Sequence, residues 1–172
     1  MQILPYSIGT GDRFGRQGPA QLAAVQKAAQ NGVDLAIVWN KSHREHLLIN
    51  TTPADVRLEA DQAVAVLDCK GQYFVDADHI GMGNVDLFID HSDFFTIDVA
   101  DFIGKKANEK SIDDFISAFE QITGNLDIPG LGRPLEIKLD AFRRMAEIYL
   151  YAVQQAGRIY RHIDKMKGSD PF

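Results

Sequence analysis

Short apolar runs alternate with stretches of helical period along the first hundred residues. Ile3 to Ile8 is apolar and closed by Gly9, which predicts a buried strand. Pro19 stands where a helix would start, Leu22, Val25 and Ala29 recur at helical spacing, and Asn31-Gly32 is a stop. Val33 to Trp39 predicts a second strand. Thr52-Pro53 reads as N-cap and first helical residue, followed by one apolar face of Val56, Ala60, Ala63, Val64 and Leu67, with Lys70-Gly71 as the close. Tyr73 to Ala77 predicts a third strand, Val85 to Ile89 a short helix, and Phe94 to Ile97 a fourth strand ended by Asp98.

The rhythm then changes. Ser111 is expected to cap a helix to about Thr123, and Gly124 to Pro134 reads as loop. Asp140 is expected to cap a long helix to about Lys165, with Phe142, Met145, Ala146, Tyr149, Val153, Ala156 and Tyr160 on one side. A short tail, Gly168 to Phe172, follows.

Strand–helix–strand repetition is the pattern of a parallel sheet with right-handed crossovers. The expected class is α/β, built of TIM-barrel-like (β/α) units with parallel strands. A complete barrel needs about 250 residues. The 172 residues here supply four candidate strands and C-terminal helices, so the alternatives are an open sheet or a single partial barrel domain over 1–172.

Charge narrows the partners. The net charge is −6 and the pI about 5.3, with no basic stripe, which argues against nucleic acid. Lys105-Lys106 and Arg143-Arg144 read as solvated surface. No apolar run is long enough to span a bilayer, and no signal peptide is evident, so no membrane partner is expected. A lone cysteine, Cys69, reads as a small buried hydrophobe near a helix end and suits a reducing, cytoplasmic location.

In parallel α/β folds, chemistry gathers at the carboxyl ends of the strands. Three places qualify. Ser7 to Gly15 carries glycines that permit close backbone approach to an anion; it nearly matches a dinucleotide fingerprint, but Phe14 replaces the third glycine. Alternatively it is a tight turn with Asp12 and Arg13 paired. Asp76-Ala77-Asp78-His79 puts two carboxylates on one side of an extended segment, with an imidazole at the turn beyond. Such a set suits a general base beside a metal ligand, or Asp78 merely caps a helix and His79 packs. Asp98 binds a hydroxyl or caps a turn. His43 and His46 are three apart in a segment of no clear helical character, and His91 and His162 read as surface or partly packed.

Together these segments resemble the tagaturonate epimerase family, which interconverts tagaturonate and fructuronate. Ser7-Ile8-Gly9-Thr10-Gly11-Asp12-Arg13-Phe14-Gly15 resembles the family's Ser-Ile-Gly-Thr-Gly-Asp-Arg-Leu-Gly. Ser42-His43-Arg44-Glu45 is similar to its Ser-Val-Arg-Glu, with His43 the departure. Ala77-Asp78-His79 matches Ala-Asp-His within a shared Asp-Ala-Asp-His run, and Phe95-Thr96-Ile97-Asp98 matches Phe-Thr-Ile-Asp.

The resemblance implies Asp78 as proton acceptor and His79 as ligand of a divalent metal cation. It implies a small sugar acid as substrate, with Asp12, Arg13, Arg44 and Asp98 as candidate substrate-binding residues. The two uronates differ at a carbon not adjacent to the ketone, so enolisation cannot invert it, whereas retro-aldol opening can. Family members extend before the first motif and beyond the long helix, so this chain is expected to be an inner portion of that length. Two rival expectations stand beside the epimerase: a catalytically incomplete fragment that self-associates through exposed partial-barrel surface, and a phosphate- or nucleotide-binding α/β protein.

Overall fold

The computed structural model describes residues 3–168; the predicted tail beyond Gly168 lies outside the described residues. Four strands form one parallel sheet in the order β1 (Ser7–Gly11), β2 (Ala36–Ser42), β3 (Tyr73–Ile80) and β4 (Phe94–Ile97). The expected parallel neighbours are all present. Helix α1 (Gly18–Gln30) connects β1 to β2; α2 (His43–Ile49) and α3 (Pro53–Val66) connect β2 to β3. A 3-10 turn at Val85–Leu87 stands in the β3–β4 connection, where a short helix was expected.

The chain divides into two compact units. One comprises the residues up to Asp98 with those from Ile159 onward; the other is Val99–Arg158. The second unit holds α4 (Glu109–Ala118), the strands β5 (Gly124–Leu126) and β6 (Leu135–Ile137), and the first part of α5 (Leu139–Lys167). Its core includes Ala107, Ile112 and Ala146. Among the described residues no helix is long and apolar enough to cross a membrane.

Several boundaries differ from the sequence pattern for physical reasons. The first strand begins at Ser7, and the glycines expected in a loop pair with β2, Gly9 beside Val38 and Gly11 beside Asn40. The second strand runs on to Ser42, past the apolar run, because its polar end is still hydrogen-bonded within the sheet. Asn108, not Ser111, caps α4; its side chain accepts the Ser111 N–H at 2.8 Å. Residues 124–137 are an antiparallel hairpin rather than plain loop. Helix α5 is amphipathic, but its apolar face is not buried along its whole length. It buries Phe142, Ala146, Ala152, Ile159 and Ile163, while the expected Met145, Tyr149, Val153 and Tyr160 are exposed. Arg143 is not isolated either, since it pairs with Asp113 at 2.9 Å and Glu109 at 3.1 Å.

The sheet has two differently built faces. Ile37, Trp39 and Val75 point toward α1 and α3 and pack with Leu22, Val56, Ala60 and Ala63. Ala36, Val38 and Phe74 occupy the other face with Leu4 and Phe94. Side chains alternate along a strand. The second face therefore continues upward from Val38 and Phe74 to the register pair Asn40 and Asp76, then to Ser42 and Asp78. It turns from apolar to polar at the carboxyl ends of the strands.

Candidate active site

The loop after β1 is built around Asp12. Its carboxylate accepts backbone N–H groups from Phe14 at 3.0 Å and from Arg16 and Gln17 at 2.6 Å each. Burial alone would raise its pKa. The three N–H donors and the nearby Lys41 charge outweigh that and hold it below the ordinary carboxylate value. Asp12 is thus occupied in shaping the loop and is not paired with Arg13. Arg13 reaches Glu45 instead, at 3.9 Å.

The glycines of this segment make room for side chains. A Cβ on Gly11 would lie 3.0 Å from Asn40 Oδ1, and one on Gly9 would lie 3.4 Å from Asn40 Nδ2. Gly15 adopts φ +63°, and a Cβ there would meet Glu59 Oε2 at 3.1 Å and Lys41 Nζ at 3.6 Å.

Ser42 closes β2 and opens α2 with a capping box. Its hydroxyl accepts the Glu45 N–H at 3.3 Å, and the Glu45 carboxylate accepts the Ser42 N–H at 3.1 Å. The segment that showed no helical period is therefore a helix. The Ser-x-x-Glu spacing was the signal that could have revealed it. The two histidines of α2 part company. His46 is buried against Phe88 and bonds Thr51 Oγ1 through Nδ1 at 2.9 Å. Burial and the Lys41 charge lower its pKa to about 4, so it is a neutral core residue. His43 lies in the pocket described below.

Strand β3 does not end at Ala77 but continues through Asp78 and His79 to Ile80, so Asp78 caps no helix there. Neighbouring side chains on a regular strand point to opposite faces. Here the pairing with β4 slips between Ala77 and Ile80, and His79 takes φ +54°. This irregularity brings His79 Nδ1 to within 2.8 Å of Asp78 Oδ1. Left-handed backbone at a non-glycine residue stores strain on the order of 1–3 kcal/mol, and such residues cluster at functional sites. With Nδ1 on the carboxylate, Nε2 is the ring nitrogen left for a ligand.

These ends surround a pocket of about 340 Å³ lined by Ser42, His43, Arg44, Leu47, His79, Asn84 and Asp98. The Asp98 N–H donates to Ile80 O at 2.9 Å, which fixes the end of β4 beside the His79 irregularity. Of the candidate residues, the structure brings Arg44, His79 and Asp98 to this pocket, with Asp78 bonded to His79. Asp12 and Arg13 stand in the β1–α1 loop, and Arg13 is linked to α2 only through Glu45. Lys41, which sequence reasoning passed over, is buried, with Glu59 near it. Asp76, expected as a carboxylate neighbouring His79, is half-buried, with its pKa raised by burial.

Comparisons with known proteins bear on the fold and the family. A search of curated protein sequences finds no match. Among solved structures, the native fructuronate-tagaturonate epimerase UxaE from Cohnella laeviribosi superimposes with TM-score 0.75 at 21% identity, over 95% of this chain and 35% of that one. The same enzyme with one glycerol bound gives TM-score 0.74 at 22% identity and the same coverage. The chain thus spans about a third of the length of the solved proteins it resembles, and the likeness supports a partial barrel-like α/β fold. The sequence profile described as UxaE, tagaturonate epimerase, matches residues 2–170, and the chain belongs to that family.

Proposed function

We propose that this segment carries the proton-transfer side of a tagaturonate–fructuronate epimerase. The observation that supports the reading is the Asp78–His79 pair, joined at 2.8 Å at the irregular end of β3, with His79 lining the same pocket as Arg44 and Asp98.

The inverted carbon is one step removed from the ketone's neighbour, and opening the C–C bond between the two inverts it without a redox partner. Asp78 Oδ2 takes the proton of the hydroxyl on the inverting carbon. The C–C electron pair then moves toward the ketone, leaving an aldehyde and an enediolate. The aldehyde turns, the bond re-forms on its other face, and the proton returns from Asp78 to the new alkoxide. Atoms and charge balance without an outside reactant. Arg44 neutralises the uronate carboxylate, with Arg13 held nearby through Glu45. Asp98 offers an acceptor to a substrate hydroxyl.

A divalent cation would stabilise the enediolate as a Lewis acid. His79 Nε2 offers one ligand position. Catalytic sites of this kind use three protein ligands. Among the described residues no three His, Cys, Asp or Glu side chains converge, so these residues alone do not fit a metal. His79 would then be one ligand of a set whose other members are not among the described residues.

The reading is tested by following tagaturonate conversion by NMR with the wild-type chain and D78N. Turnover that D78N reduces by about 10²–10⁴-fold supports it, in the range ascribed to a positioned general base. Turnover unaffected by D78N overturns the assignment of Asp78, and absence of turnover in the wild-type chain favours the incomplete-fragment reading.

A further inference from the structure

The reaction above leaves one imidazole in the pocket without a task. His43 is the first residue of α2, is half-buried, and lines the pocket with Arg44, His79 and Asp98. Its ring has no hydrogen-bond partner among the described residues. His46, three residues on, is buried in the core with its Nδ1 bonded to Thr51, so the two histidines are not alternatives for one role. Imidazole offers a hydrogen-bond donor in the same pocket as the Arg44 guanidinium.

Resting on the epimerase reading, we propose that His43 is a specificity-determining residue that joins Arg44 in receiving the carboxylate of the sugar acid. Two adjacent donors of different shape can engage the two carboxylate oxygens at once, and a neutral sugar would gain nothing from them. The capping box supports this use of the side chain. Ser42 and Glu45 fix the backbone at the start of α2, so His43 owes nothing to the helix and is free to face a ligand.

The test is calorimetric titration of the chain with D-tagaturonate and with D-tagatose, its counterpart without the carboxylate. H43V is expected to weaken tagaturonate binding by roughly tenfold or more, as for loss of a hydrogen bond to a charged group. H43Q, which keeps a donor, is expected to retain most of the affinity. Tagatose should bind wild type and H43V alike. In the wild-type chain, the His43 Cε1–H resonance should shift as tagaturonate is added, a readout that needs no variant to fold. Tight tagaturonate binding with an unmoved His43 resonance, or with H43V equal to wild type, overturns the role of His43 and leaves the epimerase reading standing. No tagaturonate binding by the wild-type chain overturns both.

Discussion

Thr96 donates its hydroxyl hydrogen to Oδ2 of Asp76 at 2.8 Å, while Oδ1 of the same carboxylate, shut off from water, has no hydrogen-bond partner among the described residues. Burial raises the Asp76 pKa, the Thr96 hydroxyl opposes the rise, and the Asp78 charge adds to it. A carboxyl whose folded pKa exceeds its unfolded value stabilises the fold while protonated. That contribution is lost as pH rises through the folded pKa. D76N should therefore gain stability relative to wild type as pH increases above about 4, the unfolded reference. T96V should cost about 1 kcal/mol for the lost hydrogen bond and move the transition to higher pH. Thermal melts across pH 3.5–8 measure both; a wild-type profile parallel to that of D76N would contradict the assignment.

The strain at His79 separates backbone from side chain. H79G can adopt φ +54° freely, so it should be as stable as wild type or up to about 1 kcal/mol more stable, despite losing the imidazole. H79A keeps the strain and loses the bond to Asp78, so it should be the less stable of the two. Both should lose epimerase turnover. Urea unfolding ranks the three proteins, and H79A more stable than H79G would refute the strain argument.

Much of the fold could be read from the chain because its strands are apolar and its helix ends carry strong signals. Pro19 and Thr52-Pro53 start α1 and α3 as expected, and Phe94 to Ile97 is a strand to the residue. What escaped has a common cause. Polar sequence was taken for loop where the backbone remains paired, at Gly9 to Gly11, Asn40 to Ser42 and Asp78 to Ile80. These are the functional ends of the strands, where a protein gives up apolar pattern for chemistry. Asp78 and His79 were expected close together at the strand end, but the manner of their contact was not legible. Regular alternation would have separated the two side chains, and the slip in pairing with β4 unites them.

Gly15 is required twice over, by its left-handed φ and by the crowding of Glu59 and Lys41. G15A should destabilise the chain by about 1–2 kcal/mol from the backbone alone. Combined with E59Q the penalty should persist, because a glutamine fills the same space, whereas E59A should relieve the steric part. Denaturant midpoints of the single and double variants decide this, and an unchanged midpoint for G15A would rule it out.

Lys41 is a buried cation among carboxylates: its charge acts on Asp12, Glu45 and Glu59. Burial raises the Glu59 pKa, and the Gly18 N–H and Lys41 restrain that rise. K41M should remove one of the two restraints on the Glu59 pKa and lower stability near neutral pH, the Gly18 N–H remaining in place. Since Glu59 titrates above its ordinary value, the deficit should shrink as pH falls and Glu59 takes up its proton. K41M with E59Q should recover part of the loss. A K41M deficit independent of pH would show that Lys41 acts through packing alone.

The capping box at the start of α2 has a consequence for how such a pocket diversifies. Ser42 and Glu45 grip one another across two intervening positions, and neither of those positions contributes to the grip. Residues 43 and 44 are thus written onto a frame that holds its shape whatever stands there. Under the proposed function, a substitution at either site changes what the pocket presents to an acid while the Ser42–Glu45 grip stays in place.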